Sequence, residues 1–462
     1  MINISKKAEE YTDSAVSLLC ELIGHKSVAA APEKDMPYGR GCAEMLAFAA
    51  DILKKDGFEV RNFDNHAITA DYNELPAELG ILCHLDVVPT EGQEWHSDPF
   101  KAEVREGRIY GRGAIDDKGP AAAVITALRI ILDSGIKLKK GVRLILGSNE
   151  ENGSTDMEYY TSKEKFPPML FTPDGEFPVI NIEKGMIRYG FRGKYELSER
   201  CVLSFKGGSV VNAVPERAEA VICGVSLAEA QGFIDKLKQN EILYSVINLD
   251  NNTICIKAKG KGAHASTPHQ GVNATTALAG LIGSMGFSQG LGAVVSGLSE
   301  LFPFGEYDGE HMGVKCSDEK SGALTLVLSL AACEDGEYSF MCDSRFPICR
   351  RSGDIVSLID ERCRERNIGG GAVLTSEPHY ADENSEMVRA LLSVYEECTG
   401  EKGRCIAIGG GTYVHDTENG VAFGAEWSNE NNMHGADEFI GIEELKKDIE
   451  IYTAAILRLC GE

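Results

Sequence analysis

The spacing of hydrophobic positions divides the first third of the chain into alternating helices and strands. A helical period covers 8–24, 40–56 and 120–134, whereas 78–88 and 142–148 are short apolar runs that predict strands. Strands that alternate with helices of this length indicate an α/β domain, with a mixed sheet flanked by helices. In such domains, the active-site residues lie in the loops that follow the strands.

Further along the chain, short strands dominate, and the order strand, strand, helix occurs twice. This order indicates two similar α+β lobes, although the sequence itself shows no repeat. A stretch of alternating Gly and Ser at 283–297 indicates a segment that is either flexible or tightly packed. The pattern then returns to a long helix. These changes predict a discontinuous α/β domain, 1–187 and 380–462, with an inserted α+β domain, 188–379.

The length and charge of the chain narrow the classes of protein to consider. With 462 residues the chain is too long for one compact core, so two or more domains are expected. Its 46 basic and 71 acidic side chains give a net charge of -25. Because a basic face is needed to neutralise phosphates, we expect neither nucleic acid nor an anionic membrane as a partner. No apolar run approaches the roughly 18 residues of a membrane span.

The cysteines indicate a reducing compartment rather than a disulfide scaffold. The 14 cysteines are scattered, no two are spaced as CxxC, and several lie in apolar runs, as Cys83 does. Buried free thiols explain this distribution. The first ten residues lack the apolar segment of a signal peptide. We therefore expect a cytoplasmic protein.

Two clusters of polar residues follow the early strands. His84 and Asp86 lie at a strand end, where positions two apart point to the same side, so the carboxylate can hold the imidazole as a metal ligand. Alternatively, His84 is an ordinary polar residue at a strand end. Asp116 and Asp117 follow a glycine-rich turn before Pro120, and they either cap the next helix or provide a carboxylate that bridges two cations.

Three more clusters carry ionisable side chains. Glu150 and Glu151 are adjacent at the end of an apolar strand, where they repel each other unless metal or solvent relieves the repulsion. One of them can bind metal while the other moves protons, and a solvated turn is the alternative. Asp174 follows another apolar strand, and His434 lies in a polar loop before the last helix.

Taken together and in this order, these clusters resemble the M20 metallopeptidase family, most closely its bacterial dipeptidase branch of the PepV type. The resemblance runs nearly end to end, and it implies a catalytic α/β domain with an inserted two-lobed lid. A lid of this size resembles a built-in dimer partner, so the resemblance implies a monomer and leaves a homodimer open. The segments that carry the resemblance are 84–86, 111–119, 149–151, 172–178, 262–268, 409–413 and 434–438.

The resemblance also implies two divalent cations and their ligands. Asp116 bridges the two ions, with His84 and Asp174 on one ion and Glu151 and His434 on the other. Glu150 is the implied general base, and Asp86 is the carboxylate behind His84. Three carboxylates and two imidazoles suit Zn²⁺ best, and also Mn²⁺ or Co²⁺. Two ions carry +4, and the three carboxylates with a bridging hydroxide carry -4, which lowers the cost of burying the site.

Further residues match positions that bind substrate in the family. His264 matches the residue that stabilises the oxyanion, with ordinary loop packing as the alternative. Asn212 matches a substrate contact. Arg345 can grip a terminal carboxylate with two hydrogen bonds, although a structural salt bridge accounts for it almost equally well.

A glycine-rich turn supplies the last group of implied substrate contacts. The N–H groups of Gly410, Gly411 and Thr412 can bind the same terminal carboxylate. Two residues after the tyrosine of this turn, related dipeptidases often have arginine, whereas this chain has His415. Histidine loses its charge near neutral pH, so this difference bears on the range of substrates.

The sequence thus predicts a dinuclear metallohydrolase that cleaves short peptides, with dipeptides as the best single substrate class. An N-acyl amino acid deacylase or desuccinylase on the same scaffold is the first alternative, because fold alone does not determine function. A binding protein that has lost catalysis is the second alternative. The intact Glu150 and the five implied ligands argue against it.

Overall fold

The structure is a computed structural model that describes residues 2–237, 239–250, 252–428 and 430–461. Its α-helices are α1 (Ile4–Ile23), α2 (Arg40–Lys55), α3 (Lys118–Asp133), α4 (Thr155–Lys163), α5 (Leu227–Ile234), α6 (Ala274–Ser284), α7 (Gly290–Leu301), α8 (Ser352–Glu365), α9 (Glu386–Thr399) and α10 (Ile442–Cys460). Its strands are β1 (Glu59–Phe63), β2 (Ala67–Asp71), β3 (Ala77–His84), β4 (Glu103–Arg105), β5 (Arg108–Tyr110), β6 (Gly141–Gly147), β7 (Met169–Thr172), β8 (Val179–Glu183), β9 (Gly185–Lys194), β10 (Cys201–Gly207), β11 (Ala213–Val214), β12 (Arg217–Cys223), β13 (Leu243–Asn248), β14 (Thr253–Lys259), β15 (Ala263–His264), β16 (Ser317–Asp318), β17 (Gly322–Ala323), β18 (Thr325–Glu334), β19 (Glu337–Phe346), β20 (Gly370–Ser376), β21 (His379–Tyr380), β22 (Cys405–Ile408), β23 (Val421–Ala422) and β24 (Phe439–Gly441).

The chain folds into two compact units. The first unit consists of Met1–Ile182, Tyr380–Ile406 and Gly411–Glu462, and the second of Glu183–His379 and Ala407–Gly410. This division differs from the predicted domains at 183–187 and at 407–410, which belong to the second unit.

Hydrogen bonds within the second unit explain why 407–410 belongs to it. The Lys184 amide donates to the Ile408 carbonyl at 2.9 Å. The Arg345 guanidinium donates to the Gly409 carbonyl at 2.6 Å. A chain segment belongs with the residues that satisfy its backbone, and hydrophobic periodicity does not report such contacts.

The main sheet of the first unit has the strand order β1-β2-β6-β3-β7-β23-β8-β21. The central pairs β6–β3, β3–β7 and β7–β23 are parallel, whereas β1–β2, β2–β6 and β23–β8 are antiparallel. Helices pack against this mixed sheet, which confirms the predicted α/β class. The parallel strands β3, β6 and β7 end at one edge, so the residues that follow them lie close together.

Both faces of this sheet are buried, and the alternation of side chains explains how. Ile81 and Cys83 of β3 pack into the core formed with α1, α2, α3, α9 and α10. Leu82 points to the opposite face, where it packs with Ile145 of β6 and Tyr160 of α4. Strands that are covered on both sides have continuous apolar sequences, as the run at 78–88 shows.

The second unit is built on an eight-stranded antiparallel sheet in the order β13-β14-β12-β10-β18-β19-β9-β20. Its two halves join at β10 and β18, which pair at only three positions. Helices α5, α6 and α7 pack on the first half and α8 on the second. The two α+β lobes predicted from the sequence are therefore halves of one continuous sheet.

The Gly- and Ser-rich stretch at 283–297 is tightly packed, and it is helical apart from the turn at 285–289. It covers the end of α6 and most of α7, and these two helices contact each other. A Cβ at Gly283 would lie 2.9 Å from Ser299 Oγ, so the small residues let the helices approach closely. In the described parts of the chain, no helix is long and apolar enough to span a membrane.

A buried asparagine fixes the start of α6 within the second unit. The Asn273 side-chain oxygen accepts from the amides of Thr275 at 2.9 Å and Thr276 at 3.1 Å. Its amide group donates to the Leu328 carbonyl in β18 at 3.0 Å. One side chain thus caps the helix and ties it to the sheet.

We expect Asn273→Ala to lower the free energy of unfolding by about 2–4 kcal/mol, because it leaves buried donors and an acceptor unpaired. Asn3→Ala is the matched control, since Asn3 caps α1 at an exposed position and its loss should cost about 1 kcal/mol. Chemical denaturation followed by circular dichroism measures both values. Equal losses in the two variants would contradict the role assigned to Asn273.

Candidate metal centre

Three functional segments follow the parallel strands at one edge of the main sheet. His84 is the last residue of β3, and Asp174 lies two residues after β7. Glu150 begins a 3₁₀ turn, Glu150–Asn152, three residues after β6. These positions place the three segments at the edge where the carboxyl ends of the parallel strands meet.

A small sheet brings two further segments to the same place. Strand β24 pairs with β5, with Phe439 opposite Tyr110, so the loop before β24 lies beside the loop after β5. The Gly111 amide donates to the Glu438 carbonyl at 3.0 Å. The Glu438 carboxylate accepts from the Asp116 amide at 3.3 Å. These contacts fix the positions of Asp116 and of the loop that contains His434.

Two groups of potential metal ligands share the carboxylate of Asp116. One group is His84, Asp116 and Asp174, and the other is Asp116, Glu151 and His434. Within each group, the ligand atoms lie within 4.8 Å of one another. Asp116 Oδ1 is 2.8 Å from His84 Nε2, and Asp116 Oδ2 is 2.7 Å from His434 Nε2. The structure thus brings together all five residues that the family resemblance implies as ligands.

Burial concentrates negative charge in this site. Burial raises the pKa of Asp174 to about 8, and the charge of Asp116 adds to the shift. Burial also raises the pKa of Glu151 and raises that of Glu150 well above its ordinary value. For His434, hydrogen bonds to Asp116 and Glu151 outweigh burial and raise the pKa to about 11. Without cations, the site therefore holds extra protons.

The donor set fits a pair of divalent cations. Each group offers imidazole nitrogen and carboxylate oxygen, and neither group contains a thiolate. Oxygen and nitrogen donors of this kind are ligands for Zn²⁺, Mn²⁺ and Co²⁺. Positive charge at the shared carboxylate would stabilise the ionised carboxylates, which burial and their mutual repulsion otherwise disfavour.

Asp86 lies beside His84, just beyond the end of strand β3. Strand β3 ends at His84, so Asp86 lies outside it and the alternation of sides does not apply. His84 Nδ1 is hydrogen-bonded to the Asp86 carbonyl at 3.0 Å, while the nearest carboxylate oxygen is 3.5 Å away. The carboxylate instead accepts from the amides of Glu150 and Glu151, each at 3.1 Å.

Glu150 lies next to the candidate ligands. Its carboxyl interacts electrostatically with His84, Asp174 and Glu151. Its amide is held by Asp86, which places Glu150 and Glu151 in the same anchored turn. A carboxyl that lies beside the candidate ligands can exchange a proton with a water molecule near them.

Four of the residues predicted to contact substrate lie in the second unit: Asn212, His264, Arg345 and Gly410. His264 pairs with Ala213 between β15 and β11, and the Ala265 amide donates to the Asn212 carbonyl at 2.8 Å. His264 Nδ1 is 2.6 Å from Ser266 Oγ.

Arg345 is buried in the same unit and is already paired. Its Nε donates to Asp343 at 2.8 Å and its Nη1 to the Gly409 carbonyl at 2.6 Å. A Cβ at Gly409 would lie 2.5 Å from Ser266 Cβ, so the segment of Asn212 and His264 also reaches Gly409. The structural salt bridge that the sequence left as an alternative for Arg345 is present, with Asp343 as the partner. The remaining N–H groups of Arg345 still allow a second role in binding substrate.

The glycine-rich turn is divided between the units. Gly410 belongs to the second unit, whereas Gly411, Thr412 and His415 belong to the first. The His415 amide donates to the Thr412 carbonyl at 2.9 Å, which closes a tight turn. Within this turn, the ring of Tyr413 lies 6.0 Å from that of His84, edge to face.

Two residues that position the site were not identified from the sequence. Arg112 and Glu438 form a buried ion pair. Arg112 also donates to the His434 carbonyl at 3.2 Å, while Glu438 accepts from the amides of Ile115 and Asp116. Arg112 lies in the segment 111–119 and Glu438 in 434–438, and both segments carry the family resemblance. An arginine and a glutamate of opposite charge in these two segments are the sequence signal that could have identified the pair.

Comparisons with known proteins show which family the chain resembles. A family model described as Peptidase family M20/M25/M40 matches residues 80–458. The Beta-Ala-Xaa dipeptidase of Lactobacillus delbrueckii subsp. lactis is 32% identical over 469 residues, covering 99% of this chain and 98% of that protein. The M20 family metallo-carboxypeptidase Sso-CP2 from Sulfolobus solfataricus has a TM-score of 0.61 and 19% identity, covering 97% and 99% of the two chains. Human carnosine dipeptidase 1 has a TM-score of 0.60 and 16% identity, covering 99% and 98%.

The fold, the site and these matches define a class of enzyme, the metallopeptidases. The chain belongs to peptidase family M20/M25/M40, because the family model covers most of its length and a relative above 30% identity covers nearly all of it. It is therefore a peptidase and a hydrolase. At 16–19% identity, the two solved structures show a similarity of fold.

We expect the metal-free protein to lose stability as the pH rises from 5 to 8. The folded-state pKa of Asp174 is about 8, against an ordinary value of 3.8, so unfolding releases a proton in this range and becomes more favourable as the pH rises. His434, raised from 6.5 to about 11, acts in the same direction above pH 6.5. Denaturation of chelator-treated protein at several pH values measures the slope.

Asp174→Asn is the control for this prediction, since it removes one proton-binding carboxyl and should flatten the slope. Adding Mn²⁺ or Zn²⁺ should stabilise the wild-type protein more at pH 8 than at pH 5, because protons compete with the cations for the same atoms. A stability that does not change between pH 5 and 8 would show that the cluster holds no extra protons.

Proposed function

We propose that this peptidase is a dipeptidase that uses two divalent cations, with Glu150 as the general base. The observation that carries the proposal is the presence of two groups of metal-ligating atoms around one shared carboxylate, that of Asp116. The Beta-Ala-Xaa dipeptidase, matched over almost the whole of both chains, supports dipeptides as the substrate class. In this proposal the first unit is the catalytic domain and the second is a lid.

The proposed ligands divide into two sets around the bridging Asp116: His84 with Asp174, and Glu151 with His434. Zn²⁺ is the first choice for these nitrogen and oxygen donors, and Mn²⁺ or Co²⁺ would also fit. When bound, the cations supply Lewis-acid chemistry, which polarises the peptide carbonyl and makes water more acidic.

The proposed roles of the chain's own residues follow from their chemistry. Glu150 takes a proton from the attacking water and delivers it to the leaving amine. Asp86 holds the amides of Glu150 and Glu151, and so keeps the base and a ligand in one orientation. His264 stabilises the oxyanion, as the family resemblance implies.

The remaining proposed contacts bind the terminal carboxylate of the dipeptide. They are Asn212, Arg345, the N–H groups of Gly410, Gly411 and Thr412, and His415. Three of the five N–H groups of Arg345 donate to described residues of the second unit. One N–H group on Nη1 and one on Nη2 remain, and such a pair suits a bidentate contact with a carboxylate.

We also propose that the enzyme works as a monomer in a reducing compartment, the cytoplasm. None of the 14 cysteines, all of which are described, forms a disulfide, and most of them are buried or half-buried, as expected for thiols in a reducing compartment. The continuous eight-stranded sheet of the second unit supports a monomer, because each half covers an edge of the other. Light scattering coupled to gel filtration measures the oligomeric state.

We expect Glu150→Gln to lower kcat for a dipeptide about 10²- to 10⁴-fold while the protein still binds two cations. The amide keeps the shape of the side chain but cannot accept the proton. Metal-reconstituted wild-type and variant proteins are compared on α-dipeptides, β-alanyl dipeptides, tripeptides and N-acyl amino acids, and metal content is measured by elemental analysis.

Glu158→Gln is the matched control, since Glu158 is exposed on α4 and should leave activity unchanged. Faster cleavage of N-acetyl or N-succinyl amino acids than of any dipeptide would overturn the proposal in favour of a deacylase. Activity in Glu150→Gln equal to that of the wild type would exclude Glu150 as the base.

We expect Arg345→Lys to raise KM for a dipeptide about 10-fold and to leave kcat within threefold, because lysine cannot make a bidentate pair with the terminal carboxylate. Arg188→Lys is the matched control, since Arg188 lies 3.5 Å from the same Asp343. Steady-state kinetics on a dipeptide and its C-terminal amide separate the two roles. If both variants raise KM equally, Arg345 acts through Asp343 and not on the substrate.

A further inference from the structure

Two buried carboxylates hold the four consecutive backbone amides of 148–151. The Ser148 and Asn149 amides both donate to Asp156 Oδ2, at 2.6 and 2.9 Å. The Glu150 and Glu151 amides donate to the two oxygens of Asp86, each at 3.1 Å. The turn that joins β6 to the proposed base and ligand is therefore anchored at both ends by negative charge.

Asp156 is well placed to act as a rigid anchor. It is fully buried in the first turn of α4, where its other oxygen accepts from the Met157 amide at 2.8 Å. The helix N-terminus favours a carboxylate at this point. The preceding residue contributes as well, because Thr155 Oγ1 accepts from the Asn149 side chain at 2.8 Å. Two adjacent residues of α4 thus bind both the main chain and the side chain of the turn.

Tyr413 completes the anchor from a distant part of the sequence. Its hydroxyl is buried and donates to Asp156 Oδ2, the same oxygen that accepts from the turn. A Cβ at Gly147 would lie 2.1 Å from the Tyr413 hydroxyl oxygen and 2.6 Å from Asp156 Oδ2. Only glycine at 147 leaves room for the phenol and the carboxylate to meet beneath the turn.

We propose that Asp156 and Tyr413 are positioning residues, which hold the turn 148–151 so that Glu150 and Glu151 point in the directions that base and ligand require. The proposal rests on the function proposed above for these two glutamates. Adjacent carboxylates repel each other, and a free turn would let them separate. Asp156 accepts two hydrogen bonds from the turn, and its bonds from Met157 and Tyr413 hold the carboxylate in place. These bonds oppose that movement, since each lost bond leaves a buried donor unpaired.

The proposal predicts a specific combination of effects. Because Glu150 and Glu151 share the turn, releasing it should weaken catalysis and metal binding together. Partners that orient metal ligands typically contribute about 10- to 100-fold to affinity or activity. We therefore expect Asp156→Ala to lower kcat about 10- to 100-fold and to change KM less than threefold. The affinity for the cation proposed to bind at Glu151 and His434 should fall by a similar factor.

The experiment compares Asp156→Ala, Asp156→Asn and Tyr413→Phe in the full-length protein. The asparagine amide oxygen can still accept from the Ser148 and Asn149 amides, so Asp156→Asn should recover most of the metal affinity. Tyr413→Phe removes one donor and should give a smaller loss than Asp156→Ala. Calorimetric titration with Mn²⁺ gives the two dissociation constants, and dipeptide hydrolysis gives kcat and KM.

Two further variants separate positioning from general destabilisation. Asp448→Ala removes another buried carboxylate of the first unit, one that accepts from the Trp427 indole at 2.8 Å and does not contact the turn. It should lower thermal stability without changing Mn²⁺ affinity. Gly147→Ala should reproduce the effect of Asp156→Ala, because the added methyl group separates Asp156 and Tyr413 without altering either side chain.

The Mn²⁺ titration keeps this proposal distinct from the proposed function. If the wild type binds Mn²⁺ but cleaves no dipeptide, the dipeptidase assignment fails, and the affinities of the variants still test the positioning role. The role is overturned if Asp156→Ala, or Gly147→Ala where Asp156→Ala does not fold, binds Mn²⁺ and turns over as Glu158→Gln does. It is also overturned if Asp448→Ala loses as much Mn²⁺ affinity as Asp156→Ala.

Discussion

The carboxylate of Asp116 lies between the imidazoles of His84 and His434, and the arrangement of the first unit depends on this contact. Its two oxygens lie 2.8 and 2.7 Å from the two Nε2 atoms. The three residues come from positions that are far apart in the chain. To bring them together, the fold must end a parallel strand, a glycine-rich turn and a late loop at the same edge of the main sheet.

This convergence has an electrostatic cost, to which two further buried acids add, and backbone amides reduce that cost by donating to those acids. Glu438 accepts from the amide of Asp116, and Asp86 accepts from the amides of Glu150 and Glu151. Each amide dipole presents its positive end to a carboxylate, so the main chain partly compensates the negative charge. The same bonds fix the loops, which is why stability and geometry depend on the same residues here.

The fold class could be predicted from patterns of residue type, whereas the set of residues at the site is what the family resemblance implies. The apolar run at 78–88 predicts a strand, and His84 and Asp174 do lie at strand ends. The run does not show that β3 ends at His84, although the Asp86 carboxylate still lies 3.5 Å from His84 Nδ1. Strand ends depend on which backbone groups pair, and so does the division at 407–410, which differs from the predicted one.

Residues that act through the main chain leave no such pattern, and Asp156 is the clearest case. It lies in no segment of the family resemblance, and as an acid in the first turn of a helix it needs no special explanation. Its importance depends on two amides and a phenol, whose positions are known only once β6, α4 and the turn of Tyr413 are assembled. Sequence motifs therefore identify the groups that contact substrate or metal more readily than the groups that orient those contacts. Orientation nevertheless decides whether adjacent glutamates such as Glu150 and Glu151 can perform different tasks.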